Sequence, residues 1–327
     1  MLKLTNRKVK TCAQLLAEYE DKPCSAANPI KLRFDGVGDC DVYNITAPFE
    51  DEGELVIAGR VEPRDSERSR IVFFVERDGV WIPREGMPDL VLQDPFYTRI
   101  GGEIVLGGVQ IYPDPSLAGT LAWRTVMYKG RRLRDIALFF TGPDGMKDLR
   151  IAELYDGSIA MFTRPQGEKG GRGQIGFALL ASLEELTAER VNEAPLLEGQ
   201  FIAEEWGGAN EAHLLSCGRV GVLGHIACFD EAGDRHYYPM VFAIDPITRE
   251  CSDIELIAVR SHFLPGASKR PDLIDVVFSG GLIRNKDGSA RLYAGISDAE
   301  AHAITIPDPF LKFERSDSHR EPTTVAL

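Results

Sequence analysis

Five glycines, Gly53, Gly102, Gly157, Gly218 and Gly288, each sit in a turn between two short apolar stretches, at intervals of 49, 55, 61 and 70 residues. A unit repeated five times constrains a chain strongly. Intervals a little above roughly 40 to 50 residues suit four-stranded propeller blades with added loops. The residue eight or nine positions before each glycine is polar: Asn44, Asp94, Asp148, Asn210 and Ser279. Innermost strands of a propeller line one axial channel, so these side chains would form a ring in a single cavity. Seven positions after the glycines come Arg60, Val109, Arg164, His225 and Gly295, three of them basic, on the returning strands of the same hairpins.

Between the turns the chain reads as strands: ELVIAGRV, RIVFFVER, EIVLGGVQIY, DIALFFTG, SIAMFTRP, RVGVLGHIACF, YYPMVFAI and LIDVVFSGGLI are short, rich in β-branched and aromatic residues, and bounded by Gly, Pro or Asp. Helical periodicity is strong in two places only, residues 11–20 and 181–191. The expected fold class is therefore all-β: a single-domain five-bladed β-propeller over residues 31–315, after a helical N-terminal extension (1–30) and before a C-terminal tail (316–327). A two-sheet sandwich is the structural alternative.

Composition narrows the partners. With 37 Lys+Arg against 50 Asp+Glu, the formal charge of −13 opposes phosphate backbones and anionic lipid, so neither nucleic acid nor a membrane surface is an expected partner. No apolar run approaches the roughly 18 residues of a membrane span, and the first residues lack a secretion signal, which makes the cytoplasm the expected location. Cysteines at 12, 24, 40, 217, 228 and 251 form no C-x-x-C pair and read as reduced thiols. The sequon Asn44-Ile45-Thr46 then reads as chance. His213, His225 and His236 are spaced too widely for a short metal motif, and no metal is expected. Gly171 to Gly176 (GRGQIG) matches the dinucleotide pattern formally but opens a strand rather than a helix, which leaves it as a loop over a pocket.

Candidate chemistry centres on Asp94. Pro95 restricts it toward an extended backbone, and a carboxyl in a partly desolvated cavity has a raised pKa suited to protonating a leaving oxygen. Lys147 and Asp148 begin one inner strand and Arg164 ends the next, a combination suited to an anion beside a sugar. The segment EEWGGANEAH (204–213) brings Trp206, Asn210 and Glu211 together, and an indole face stacks well on a sugar ring.

In order along the chain, YNITAPF, GRVEPRDSE, LQDPFYTRIGG, GMKDLRIAELYDG with FTRPQG, EEWGGANEAHLL with GVLGHIA, and DLIDVVFSGGLI with LYAGISDAE resemble the five-bladed mannoside phosphorylases of glycoside hydrolase family 130 over about residues 40 to 310. The resemblance is closer still to the related mannosyltransferase/phosphorylase proteins of β-1,2-mannan. It implies Asp94 as general acid, in the family's acidic D-P motif, although Gln93 and Phe96 stand where the family has Glu and Arg. It implies phosphate contacts from Arg164 and His225 and a sugar contact from Asp298, with Lys147 and Asp148 on the family's Lys-Asn position and Asn44 on the polar position of the first blade. Arg60 and Lys147 are further expected phosphate contacts, and Asn44, Asp148, Trp206, Asn210, Glu211 and Asp275 further expected sugar contacts.

Phosphorolysis needs one carboxylic acid, because phosphate is its own nucleophile and a cationic cradle replaces the second carboxylate of an inverting hydrolase. The expected activity is inverting phosphorolysis of a β-1,2-mannoside to α-mannose 1-phosphate. No cofactor is required; the expected partners are a small oligosaccharide and inorganic phosphate, with GDP-mannose as a further donor implied by the resemblance alone and a homo-oligomer compatible with the family. The alternatives are an inverting β-mannosidase with Glu211 as base, and a non-catalytic carbohydrate-binding propeller.

Overall fold

The computed structural model describes residues 9–23, 25–114, 117 and 119–315; the expected C-terminal tail and residues 1–8 of the N-terminal extension lie outside these. Helix α1 (Cys12–Glu20) forms as expected over 11–20. It is closed by a capping box in which Thr11 accepts from the Gln14 N–H while the Gln14 side chain returns to the Thr11 N–H. Strand β1 (Ala27–Lys31) follows.

The rest of the chain winds into five antiparallel blades. Blade one holds β2 (Cys40–Tyr43), β3 (Phe49–Asp51), β4 (Glu54–Pro63), β5 (Arg70–Arg77) and β6 (Val80–Pro83). Blade two holds β7 (Gln93–Ile100), β8 (Glu103–Pro113), β9 (Leu121–Gly130) and β10 (Ala137–Thr141). Blade three holds β11 (Arg150–Glu153), β12 (Ile159–Thr163) and, after the single turn α2 (Gly167–Gly170), β13 (Gly176–Leu180); the segment after α3 (Ala188–Glu193) bridges to its outer edge at Leu196. Blade four holds β14 (Trp206–Leu214), β15 (Val220–Phe229), β16 (Arg235–Ile244) and β17 (Glu255–Leu256). Blade five holds β18 (Asp275–Arg284), β19 (Ser289–Ile296) and β20 (Glu300–Pro307), and α4 (Leu311–Arg315) follows. This is the expected five-bladed propeller.

Its fourth strand in blade five is β1, paired antiparallel with β20 through Ala27↔Thr305 and Lys31↔His302. The ring is thus closed by both ends of the described chain. The propeller begins at Ala27, four residues before the expected boundary at 31.

The core divides as the geometry demands. Five hydrophobic clusters fill the five junctions between neighbouring blades; one joins Phe162 and Phe177 of blade three to Val222 and Phe242 of blade four, and another joins Ile57 and Phe74 of blade one to Ala301 of blade five. All five repeat glycines lie at the first hairpin of their blade with φ between 77° and 86° (Gly102 and Gly288), a region where side chains are strained. The expected helix over 181–191 does not form as one piece. Leu183–Glu185 makes a 3-10 turn, Leu186 is extended, and Thr187 starts α3 by accepting from the Arg190 N–H. Thr187, whose side chain takes the Arg190 N–H, caps a new helix in the middle of the run and so breaks it.

Candidate functional site

All five ring residues are buried where the inner strands begin or bulge. Asn44, Asp94 and Asp148 have positive φ (43°, 47° and 57°), while Asn210 and Ser279 sit at register shifts in β14 and β18. Asp94 is therefore left-handed, not extended as Pro95 suggested; Asp tolerates this region better than most residues, and its ring contacts hold it there. Asn44 Nδ2 donates to Asp94 Oδ1 at 2.8 Å, and Arg60 NH1 lies 3.1 Å from the same oxygen. Gly295 lets the backbone of blade five come this close: a methyl there would lie 2.0 Å from Asn44 Oδ1.

Register explains the basic residues. Tyr43 pairs with Arg60 and Gly208 with His225, so the returning strands carry Arg60 and His225 beside the ring, as the spacing predicted. Arg60 donates to Glu62 as well as to Asp94. Glu62 also accepts from the Tyr43 hydroxyl and from Lys269, which reaches in from the loop before β18. Across the ring, Arg164 NH1 lies 3.4 Å from Asp148 Oδ2, Arg150 NH2 lies 3.8 Å from Asp148 Oδ1, and Arg164 Nε donates to the Gly207 carbonyl at 2.9 Å. His225 stacks on Tyr237 and lies 2.8 Å from Asn210 Oδ1. Three buried polar atoms here have no hydrogen-bond partner in the protein: Asn44 Oδ1, Arg164 NH1 and Asn210 Nδ2. Buried polar atoms are normally satisfied by protein, water or ligand, so this cluster can hydrogen-bond to a polar group that enters it.

Electrostatics sorts the carboxylates. Burial works to raise the Asp94 pKa, but Arg60, Lys147 and the hydrogen bond from Asn44 outweigh it, and the net shift is downward. The expected elevation is absent because the neighbouring charges are cationic. Asp148 is likewise lowered, burial being overcome by Arg164, His225, Lys147 and Arg150. Asp298, left-handed at φ 50°, is pushed up to about 6 by burial, with Asp94 adding to the rise and Arg60 opposing it. His225 is driven down to about 3, mainly by burial, and is neutral. Lys147 forms no close ion pair among the described residues, yet its charge acts on Asp94, Asp148 and His225 together.

The structure thus gathers Asn44, Arg60, Asp94, Lys147, Asp148, Arg164, Asn210, His225 and Asp298 about one axis. Three expected sugar contacts lie elsewhere. Asp275 accepts from Tyr238 and pairs with His236 at 2.6 Å, at the parallel bridge joining blades four and five. Glu211 accepts from the Leu282 N–H and bonds His213, further along the inner strands in a cavity of about 90 Å³. It is tied to structure and is not placed as the base of a hydrolase. Trp206 is buried, its Nε1 donating to the Tyr237 hydroxyl, with Phe229 and Arg172 packed on it, so its indole offers no open platform. The GRGQIG loop packs Gly173 on the Arg164 guanidinium, where a methyl would lie within 2.6 Å, and then leads into β13.

Sequence reasoning missed Glu62, Arg150, Tyr237 and Lys269. Glu62 and Arg150 each lie two residues beyond a position it identified, on the same strand face, so period-two alternation carried the signal. Lys269 belongs to a loop that the repeat does not contain.

A family described as "Protein of unknown function (DUF1861)" matches residues 19–312. The chain belongs to this family. Among solved structures, it is similar to MPT-4, a mannose phosphorylase from Leishmania mexicana in complex with phosphate ion, at 35% identity and TM-score 0.84, covering 92% of this chain and 94% of that one. MPT-1, a GDP-Man-dependent mannosyltransferase from the same organism, matches at 29% identity and TM-score 0.82, covering 92% and 95%. A 4-O-β-D-mannosyl-D-glucose phosphorylase of Bacteroides fragilis is 28% identical over 163 residues, which is 47% of this chain and 40% of that protein. The DUF1861 chain thus has enzymes acting on glycosides as relatives, as its motifs implied.

Proposed function

We propose that this DUF1861 protein is an inverting mannoside phosphorylase that cleaves a β-1,2-linked mannoside with phosphate to give α-mannose 1-phosphate. The observation that carries the reading is the buried Arg164 guanidinium, whose NH1 makes no hydrogen bond, grouped with Lys147 and a neutral His225, across the axis from a carboxyl bonded to Asn44. The similarity to a mannose phosphorylase with bound phosphate supports it.

In this mechanism phosphate takes the gap beside Lys147 and Arg164. Its negative charge offsets the cations that hold the Asp94 pKa down, so Asp94 gains a proton only when the nucleophile is in place. A phosphate oxygen attacks the anomeric carbon as the glycosidic C–O bond breaks, and the Asp94 proton passes to the leaving oxygen, directly or through a sugar hydroxyl. One displacement inverts the anomeric centre. Arg60 and Asn44 aim Asp94, while Asp298 meets sugar hydroxyls. Transfer from GDP-mannose, inverting an α-linked donor to a β-mannoside, is the same chemistry with another leaving group, and its support is the similarity to MPT-1.

Incubation with β-1,2-mannobiose and phosphate, followed by NMR of the products, tests the reading. The expected product is α-mannose 1-phosphate, absent without phosphate. Free mannose released at the same rate without phosphate would make the protein a hydrolase, and no turnover of any mannoside would leave a binding propeller.

A further inference from the structure

Asp148 stands inside the cationic group. Its two oxygens lie 3.4 Å from Arg164 NH1 and 3.8 Å from Arg150 NH2, and the residue is 3% exposed. The three residues that wall this spot converge on the backbone of β14. A methyl placed on Gly208 would lie 2.9 Å from Arg164 Cδ, 3.0 Å from His225 Cε1 and 3.1 Å from Asp148 Oδ2. Arg164 NH1 and Asn210 Nδ2 are buried there and make no hydrogen bond within the protein.

The donor and acceptor inventory of this wall is unusual for an anion site. Arg164 and Lys147 supply donors and positive charge, but an ionised carboxylate can only accept. With the neutral His225 ring donating from Nδ1 to Asn210 Oδ1, its other nitrogen is a second acceptor. The nearby charges of Lys147, Arg150 and Arg164, less that of Asp148, match a dianion. A tetrahedral dianion that keeps a proton can donate O–H to an acceptor in the wall; one with no proton presents a bare oxygen to a carboxylate.

We infer that Asp148 is a specificity residue that selects its anion by the proton it carries, admitting phosphate and arsenate through a P–OH or As–OH donor and excluding sulfate. The inference rests on the phosphorolytic reading and goes beyond it, since cations alone would hold sulfate equally well. A charged hydrogen bond gained by one anion and replaced by repulsion for the other corresponds to about 100-fold in affinity.

The test measures phosphorolysis of β-1,2-mannobiose by the wild-type protein at constant ionic strength, with arsenate replacing phosphate and with sulfate as a competitor. Arsenate should support turnover, and the sulfate inhibition constant should exceed the phosphate KM by about 100-fold. In Asp148→Asn, whose amide can donate, sulfate should compete within about 10-fold of phosphate. Sulfate competing equally in the wild type would overturn the inference and leave phosphorolysis standing, as would selectivity unchanged in Asp148→Asn. Should that variant fail to fold, the wild-type comparison decides alone. Mannose release that ignores phosphate would remove the phosphorolytic reading itself, and the inference with it.

Discussion

Asp94 and Asp298 both feel the guanidinium of Arg60, yet their pKa values move in opposite directions. Asp94 accepts hydrogen bonds from Asn44 and Arg60, whereas burial dominates at Asp298. The Asp298 pKa rises from 3.8 unfolded to about 6 folded, so it is protonated in both states at low pH and ionised in both above 6. Its contribution is favourable below the unfolded value and is lost as pH rises through the folded one. Asp298→Asn should therefore raise stability at pH 7 to 8 by about 3 kcal/mol, with the gain shrinking between pH 6 and 4 and vanishing below. Chemical denaturation across that range checks it; a gain independent of pH would mean that ionisation is not the cause. Asp94→Asn should lower turnover of a mannoside by about 10²- to 10⁴-fold and leave phosphate affinity within a few-fold. Nitrophenyl β-mannoside, whose leaving group needs no proton, should recover most of that loss. Ring residues were legible because each stands at a fixed offset from a turn glycine, but their ionisation was not. The sequence shows that Asp94 is polar and central; only the geometry shows that Arg60 and Lys147 face it.

Strand β14 contributes most to the site through what it lacks. Its Gly207-Gly208 pair lets the Arg164 side chain and His225 lie against bare backbone, and the Gly207 carbonyl holds Arg164 Nε. Gly208→Ala fits the strand conformation but fills the gap among Arg164, His225 and Asp148. Its expected effect is a rise of at least about tenfold in the KM for phosphate, with a stability loss of about 1 to 3 kcal/mol from overpacking. Steady-state kinetics and a melting curve separate the two. A KM unchanged from wild type would place phosphate elsewhere. Strand existence was readable from the alternation of apolar and turn residues. The bulges that aim Asn210 and Ser279 inward were not, since a one-residue insertion in pairing leaves no compositional mark. The false helix at 181–191 and the misplaced Glu211 and Asp275 share a cause: local pattern gives residue type and spacing, and tertiary partners decide orientation.

Across the whole molecule, Asn44 and Arg60 come from blade one, Asp94 from two, Asp148 and Arg164 from three, Asn210 and His225 from four, and Asp298 from five. A ligand in this centre binds only when all five blades are assembled, so it stabilises the ring as a unit. Phosphate at about 100 times its dissociation constant should add about 2.7 kcal/mol, or several degrees in Tm, and sulfate at equal ionic strength should add far less. Equal shifts from both anions would indicate a general salt effect. The closing strand has a consequence for how the chain is made. Residues 27–31 leave the ribosome about 270 residues ahead of their partner at 302–305. Until then the nascent chain carries a ring with a gap, and strand β1 waits while the rest of the five blades is made. That strand, Ala-Asn-Pro-Ile-Lys, is short, exposed along its length and interrupted by proline, a composition that discourages premature pairing with a neighbour on the same polysome.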